Sequence, residues 1–172
     1  MKRFILIALC AALFSGCTKS PQGNSDFSSD DIKFAEMMIP HHQQAIEMSN
    51  LVPSNTTNPD VLRIAQEISA AQSPEIELMK SWTGVNPSAH VGHTMEGMLS
   101  ESEMAALLKA TDNEFDQLFL EGMIKHHEGA IEMAQKVTNS KNSLVANLSV
   151  NIISAQKLEI STMKALLLQM TR

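Results

Sequence analysis

One stretch of this chain occurs twice. Residues 34–48, FAEMMIPHHQQAIEM, align with residues 119–133, FLEGMIKHHEGAIEM, at an offset of 85. Residues 71–80, AQSPEIELMK, align with residues 155–164, AQKLEISTMK, at an offset of 84. Two matches in the same order and at nearly the same spacing mean that one unit is present twice. Each copy holds two amphipathic stretches joined by a short polar loop, so the unit reads helix–loop–helix. A chain of two such hairpins has few folds open to it. The expected fold class is all-α: an antiparallel four-helix bundle built from the two repeated hairpins, with a short extra helix in the link.

The helix ends are visible as capping residues. Ser28-x-x-Asp31 can cap the first helix, and Asn58 followed by Pro59 suits the start of the second, which Gly84 can stop. Ser100-x-x-Glu103 and Thr111-x-x-Glu114 both have the form of a capping box, and Asn142 or Ser143 can start the last helix. The long helices are therefore expected at 29–52, 59–83, 112–138 and 143–171, with a short one at 101–110.

The segment before the repeats is of another kind. Met1-Lys2-Arg3 is a positive start, and residues 4–14 are apolar but too short to span a bilayer. Small residues then precede Cys17, as in a bacterial lipobox, where the cysteine is lipidated and becomes the new N-terminus. Residues 1–17 are read as a lipoprotein signal peptide with Cys17 as the lipidation site, and residues 18–28 as a flexible polar tether. The first hairpin follows at 29–84, a His/Met-rich link with the short helix at 85–110, and the second hairpin at 111–172. Cys10 would leave with the signal, so the mature chain would hold no free thiol and rely on packing. Location in the cell envelope follows, with the chain anchored by lipid and facing the periplasm or the exterior.

Each apolar stripe contains polar residues. On a helical wheel, Glu75 falls among Ile64, Ile68, Ala71 and Met79, and Glu159 falls among Leu148, Ile152, Ala155 and Met163. Gln72 and Gln156 flank them. His41 shares a face with Phe34, Met38, Ala45 and Met48, and His126 with Phe119, Met123, Ala130 and Met133. His42 and His127 lie at the edge of that stripe. A carboxylate in a core is costly unless paired or coordinated. The expected arrangement sets His41 and His126 in the core beside Glu75 and Glu159. The glutamates and glutamines would act as an outer shell around the histidines, and His42 and His127 would be more accessible. Two readings of this layer stand: a metal or ligand site, or a buried polar network that fixes helix register. Pro40 and Pro74 precede His41 and Glu75 directly, inside helices, and their counterparts are Lys125 and Leu158, so the first hairpin should be the more bent.

Methionine is abundant, at twelve residues, while there is one Trp and no Tyr. The link carries His90, His93, Met95 and Met98 within nine residues, interspersed with glycine. Imidazole and thioether donors without thiolate suit Cu(I), Ag(I) or Cu(II) better than calcium or magnesium. The candidate metal ligands are therefore His41, His42, His126 and His127, with Met38, Met48, Met123 and Met133 near them, and His90, His93, Met95 and Met98 as a looser set. A helical methionine is most often core filler.

The doubled M-I-x-H-H segment, the G-H-x-M-x-G-M link and the repeated A-Q-x-x-E-I-x-x-M resemble a bacterial family called domain of unknown function 305. The resemblance covers about residues 29–170. It implies a ferritin-like fold and copper binding in the periplasm linked to copper tolerance, with His41, His42, His126, His127 and nearby methionines as ligands. Gly122 stands where the first copy has Met37, so the two half-sites differ in methionine.

The leading expectation is a non-enzymatic envelope protein that binds copper, with silver as the other candidate ion, for sequestration, transport or tolerance. Its partners would be the metal ion, the membrane through the lipid anchor alone, a copper-transfer protein and a second copy of the chain. A net charge of −6 and the lack of a basic stripe argue against nucleic acid. One alternative is a ferritin-like di-metal oxidase or peroxidase, although the chain has no Glu-x-x-His. The other is a non-metal helical interaction module with a structural polar core.

Overall fold

The computed structural model describes residues 26–170. The segment read as a signal peptide, most of the segment read as a tether, and Cys17 lie outside them. Five helices follow in order: α1 Ser29–Asn55, α2 Pro59–Lys80, α3 Glu101–Lys109, α4 Asp112–Gln135 and α5 Ser143–Met170. The four long ones are the two expected hairpins, and α3 is the short helix of the link.

Local chemistry sets most of the ends. Ser28 and Asp31 form a reciprocal capping box on α1, and Ser100 and Glu103 form one on α3. Asn58 accepts from the Asp60 amide at the start of α2, and Asn142 accepts from the Leu144 amide at the start of α5. Thr111 differs from expectation. It occupies the N-cap position of α4 but makes no side-chain capping bond. Asp112 at φ 54° turns the backbone through the left-handed region there, which disturbs the register a capping box needs.

Three boundaries also shift. α1 runs three residues beyond 52, through Pro53, and α1 and α2 continue unbroken through Pro40 and Pro74. α2 ends at Lys80 in a tight turn that reaches Gly84 at φ 93°. α4 ends at Gln135, and residues 136–140 close as turns with three-residue spacing; Thr138, Asn139 and Ser140 are weak helix formers.

The apolar core is in two parts. One cluster joins Met48 and Val52 of α1 to Ile64 and Ile68 of α2, Phe115, Phe119 and Met123 of α4, and Met163 of α5. The other joins Phe34 and Met38 to Met79, Met133, Ala134, Leu148 and Ile152. The first half of α1 thus packs against the second halves of α2 and α4 and the first half of α5. Neighbouring helices are antiparallel, and the two hairpins meet about an approximate two-fold axis through the contact of α1 with α4. On all four long helices the residues between the clusters are polar: His41, His42, Gln72, His126, His127 and Gln156. The bundle is an apolar–polar–apolar sandwich along its own axis.

Candidate functional site

Adjacent histidines on a helix point about 100° apart. In each hairpin the first therefore faces the two-fold axis and the second faces its own hairpin partner. His41 and His126 meet across α1 and α4 with ring centroids 3.8 Å apart, tilted by 42°. His42 Nε2 donates to Glu75 Oε2 at 2.8 Å, and His127 Nε2 donates to Glu159 Oε2 at 2.7 Å. The glutamates thus pair with the second histidine of each doublet, correcting the expectation that they sit beside His41 and His126. His42 and His127 are not edge residues either, since all four imidazoles are 0% exposed. A wheel for a single helix cannot show that two different neighbours cover two adjacent residues. Glu75 and Glu159 retain 20% and 17% side-chain exposure and form the rim of the layer.

The layer is short of hydrogen bonds. His41 Nε2 donates to the Glu96 carbonyl at 3.1 Å. Nε2 is the donor in His41, His42 and His127, which leaves Nδ1 of each ring for another partner. All three Nδ1 atoms are buried and unpartnered within the protein, as are both nitrogens of His126, both amide atoms of Gln72 and Oε1 of Gln156. Eight such atoms in one layer is a concentration that native interiors avoid. Burial, reinforced by repulsion from His42 and then His127, pushes the pKa of His41 down to about 3. The same causes, burial first and His41 second, hold His126 well below the usual imidazole range, and the backbone of His41 offers its ring only a weak compensating contact. These two rings stay neutral in the folded protein, the form that can offer a lone pair.

The methionines divide by position. Met38 and Met133 belong to one apolar cluster and Met48 and Met123 to the other, all at 5% exposure or less. They bound the histidine layer above and below. In the link, His90 Nδ1 and His93 Nδ1 lie 3.3 Å apart. The Met95 amide donates to Met98 Sδ at 3.4 Å, and Met95 is buried. Among the described residues no group of three or more His, Cys, Asp or Glu side chains is placed to hold a metal ion. A metal would therefore need thioether or amide donors beside one or two imidazoles or carboxylates.

Residues 95–99 form a strap across α1 and α4. Gln44 clamps Leu99 at both ends, donating to its carbonyl at 2.9 Å and accepting from its amide at 2.8 Å. Gly97, at φ 80°, lies against the backbone of Gly129, where a Cβ on either residue would run into the other segment. Sequence reasoning missed this strap, the Gln44 clamp and Met104, which shares a cleft with His93 and Met98. It also missed Asp116, whose buried carboxylate accepts from Asn58 Nδ2 at 2.7 Å. Gly129 was the available signal: a glycine inside a helix often marks close backbone approach.

A family model described as "Domain of unknown function (DUF305)" matches residues 31–167. Among solved structures, a putative secreted DUF305 protein from Streptomyces coelicolor is 29% identical with a TM-score of 0.76, covering 83% of this chain and 94% of that one. A DUF305 fragment from Deinococcus radiodurans is 27% identical with a TM-score of 0.75, covering 83% and 97%. CopM in its Cu(I)-bound form is 30% identical with a TM-score of 0.65, covering 81% and 95%, and CopM is also similar in Cu(II)-bound and Ag-bound forms. No curated protein matches the chain.

Proposed function

The chain belongs to the DUF305 family, and from that premise we propose that it is a non-enzymatic metal-binding protein of the cell envelope that takes up copper or a similar soft ion. The observation that carries this reading is the set of unpartnered lone pairs in the four-histidine layer. His42 and His127 each have Nε2 fixed by a carboxylate, and His41 has it fixed by a carbonyl. Metal-binding histidines are oriented in this way, with one nitrogen held by an oxygen and the other left for the ion. A purely structural network would pair these nitrogens with each other or with the glutamines. The neighbouring donors are thioethers and amides, and no thiolate is at hand among the described residues, which suits Cu(I) or Ag(I). The copper-bound and silver-bound forms of CopM support the same choice of ion. Bound there, the ion would be held by one or two of the imidazoles together with a thioether or amide donor, with Glu75 and Glu159 fixing the orientation of His42 and His127.

The envelope location, the lipid anchor at Cys17 and transfer to a partner protein belong to this proposal. No helix among the described residues is long and apolar enough to cross a membrane, and a lipid on Cys17 is consistent with that. The test is Cu(I) and Ag(I) titration of the full chain against a competing chelator. Uptake that H126A/H127A reduces while the helical signal persists supports the reading. No uptake at micromolar affinity refutes it.

A further inference from the structure

The loop between the hairpins holds a second set of donors, separate from the interior layer. His93 N donates to the His90 carbonyl at 3.1 Å, closing a turn, and Gly92 takes its third position at φ 82°. Left-handed backbone at that position is what a type II turn requires and glycine permits. The turn carries the rings of its first and last residues to the same side, with centroids 5.5 Å apart and the two Nδ1 atoms 3.3 Å apart. Two imidazole nitrogens each about 2.0–2.1 Å from one tetrahedral ion would be separated by about 3.3 Å. The turn therefore already holds the spacing of a chelate, occupied here by an Nδ1–H···Nδ1 hydrogen bond whose proton an ion would displace to Nε2, and at an exposed position, unlike the buried layer.

Candidate third donors line the cleft that His93 shares. His93 opens on a cleft of about 380 Å³ that Met98 of the strap and Met104 of α3 also line, with Glu47 and Glu101 at its rim. Both methionines are half-buried, so their thioethers can be reached without unfolding the core. Met104 lies on α3, outside the duplicated unit, and packs on one side against the core cluster while lining the cleft on the other. The acidic rim favours a cation, and the thioethers favour a soft one.

We infer that His90 and His93 chelate one copper-class ion at the surface, with a thioether of Met98 or Met104 as third ligand, and that this site loads the protein from solution. The strap separates it from the interior: Glu96, whose carbonyl His41 holds, lies three residues from His93. The surface site uses different atoms from the interior layer, so each can fail without the other.

The test compares the full chain with H90A/H93A, M98L/M104L and H126A/H127A, each checked for unchanged helicity. Cu(II) added at one equivalent should give an electron paramagnetic resonance signal with coupling to two nitrogens. H90A/H93A should lose that signal and one equivalent of bound metal, whereas H126A/H127A should keep the signal. M98L/M104L should weaken Cu(I) or Ag(I) binding by about tenfold or more in chelator competition. The inference is overturned if H90A/H93A keeps both the two-nitrogen signal and the full number of bound ions. The thioether assignment is overturned if M98L/M104L binds Cu(I) as tightly as the parent. If H90A/H93A removes all bound metal, the surface site stands and the interior reading falls.

Discussion

His41 and His126 sit ring against ring, 3.8 Å between centroids, at the point where the two copies of the hairpin meet. A duplicated unit that packs on itself brings equivalent residues together at the symmetry axis, and here those residues are imidazoles. Two protonated rings at this distance inside a core would repel strongly, so the contact can exist only with at least one ring neutral. The same contact leaves lone pairs facing the interior with no donor to meet them. The duplication thus creates both the electrostatic constraint and the unpartnered ring nitrogens on which the proposed metal binding rests.

The first prediction concerns pH. In the unfolded chain His41 and His126 titrate near the ordinary imidazole value of about 6.5. In the folded protein His41 titrates at about 3 and His126 well below the ordinary value. Below pH 6.5 the unfolded state then binds more protons than the folded state, so stability falls as pH falls. Each group adds up to about 1.4 kcal/mol per pH unit across its window. Urea midpoints of the metal-free protein should be flat above about pH 7 and decline steadily from 6.5 to 5. Equal midpoints at pH 7 and pH 5 would show that these rings are not buried as described.

The second concerns the carboxylates at the rim. Glu75→Ala leaves the buried Nε2–H of His42 without an acceptor, and Glu159→Ala does the same to His127. Each should cost about 1–3 kcal/mol of stability, measured by chemical denaturation. Glu75→Gln and Glu159→Gln keep an oxygen that can accept and should cost about 1 kcal/mol or less. If the layer binds metal, the alanine variants should also lose about 10–100-fold in metal affinity, because the imidazoles are no longer oriented. A stability loss with unchanged metal affinity would make the glutamates purely structural.

The third concerns the close approach of Gly97 and Gly129. A methyl group on Gly129 would be driven into the Glu96 carbonyl, and one on Gly97 into the Lys125 carbonyl. These are backbone atoms and cannot rotate aside. Gly129→Ala should lift the strap and break the bond from His41 to Glu96, at a cost of about 1–3 kcal/mol as for other overpacked sites. Gly92→Ala is the control, since it also has positive φ but meets nothing within 4 Å. It should cost about 1 kcal/mol, from backbone strain alone. Thermal melting of the two variants separates crowding from strain; equal losses would mean that the strap does not touch α4.

The fold was largely legible because it rests on local and repeated signals. Ser28, Asn58 and Ser100 mark helix starts through bonds to residues two or three positions away, and the duplication specifies the pairing of hairpins. The presence of histidines in the core was legible too, since His41 and His126 interrupt apolar stripes, whereas Glu75 and Glu159 lie at the rim. Which histidine meets which carboxylate was not. That depends on how α2 is rotated against α1 and α5 against α4, and one residue of difference along the helix is 100° around it. The strap was equally hidden, because Gln44 and Leu99 are 55 residues apart and the repeat gives no clue to their pairing, since Gly129 stands where the first copy has Gln44. Thr111 shows the reverse failure: its local pattern was right for a capping box, but the backbone at Asp112 removed the geometry.

The last prediction follows from the Gln44 clamp. Its amide satisfies both the N–H and the C=O of Leu99, a buried residue outside any helix. No neighbouring strand or helical turn is present to take over those groups. Gln44→Ala should therefore leave two buried backbone groups unpaired, each worth about 1–3 kcal/mol. The strap has a cheaper way out than bearing that cost, which is to detach and let water reach Leu99. Global stability should then fall by less than the sum of the two penalties, while the Leu99 amide should exchange with solvent as readily as the exposed link residues. Native-state hydrogen exchange would show this directly. A Leu99 amide that stays protected in Gln44→Ala would mean that Gly97 against Gly129 is enough to hold the strap, and that the glutamine is secondary.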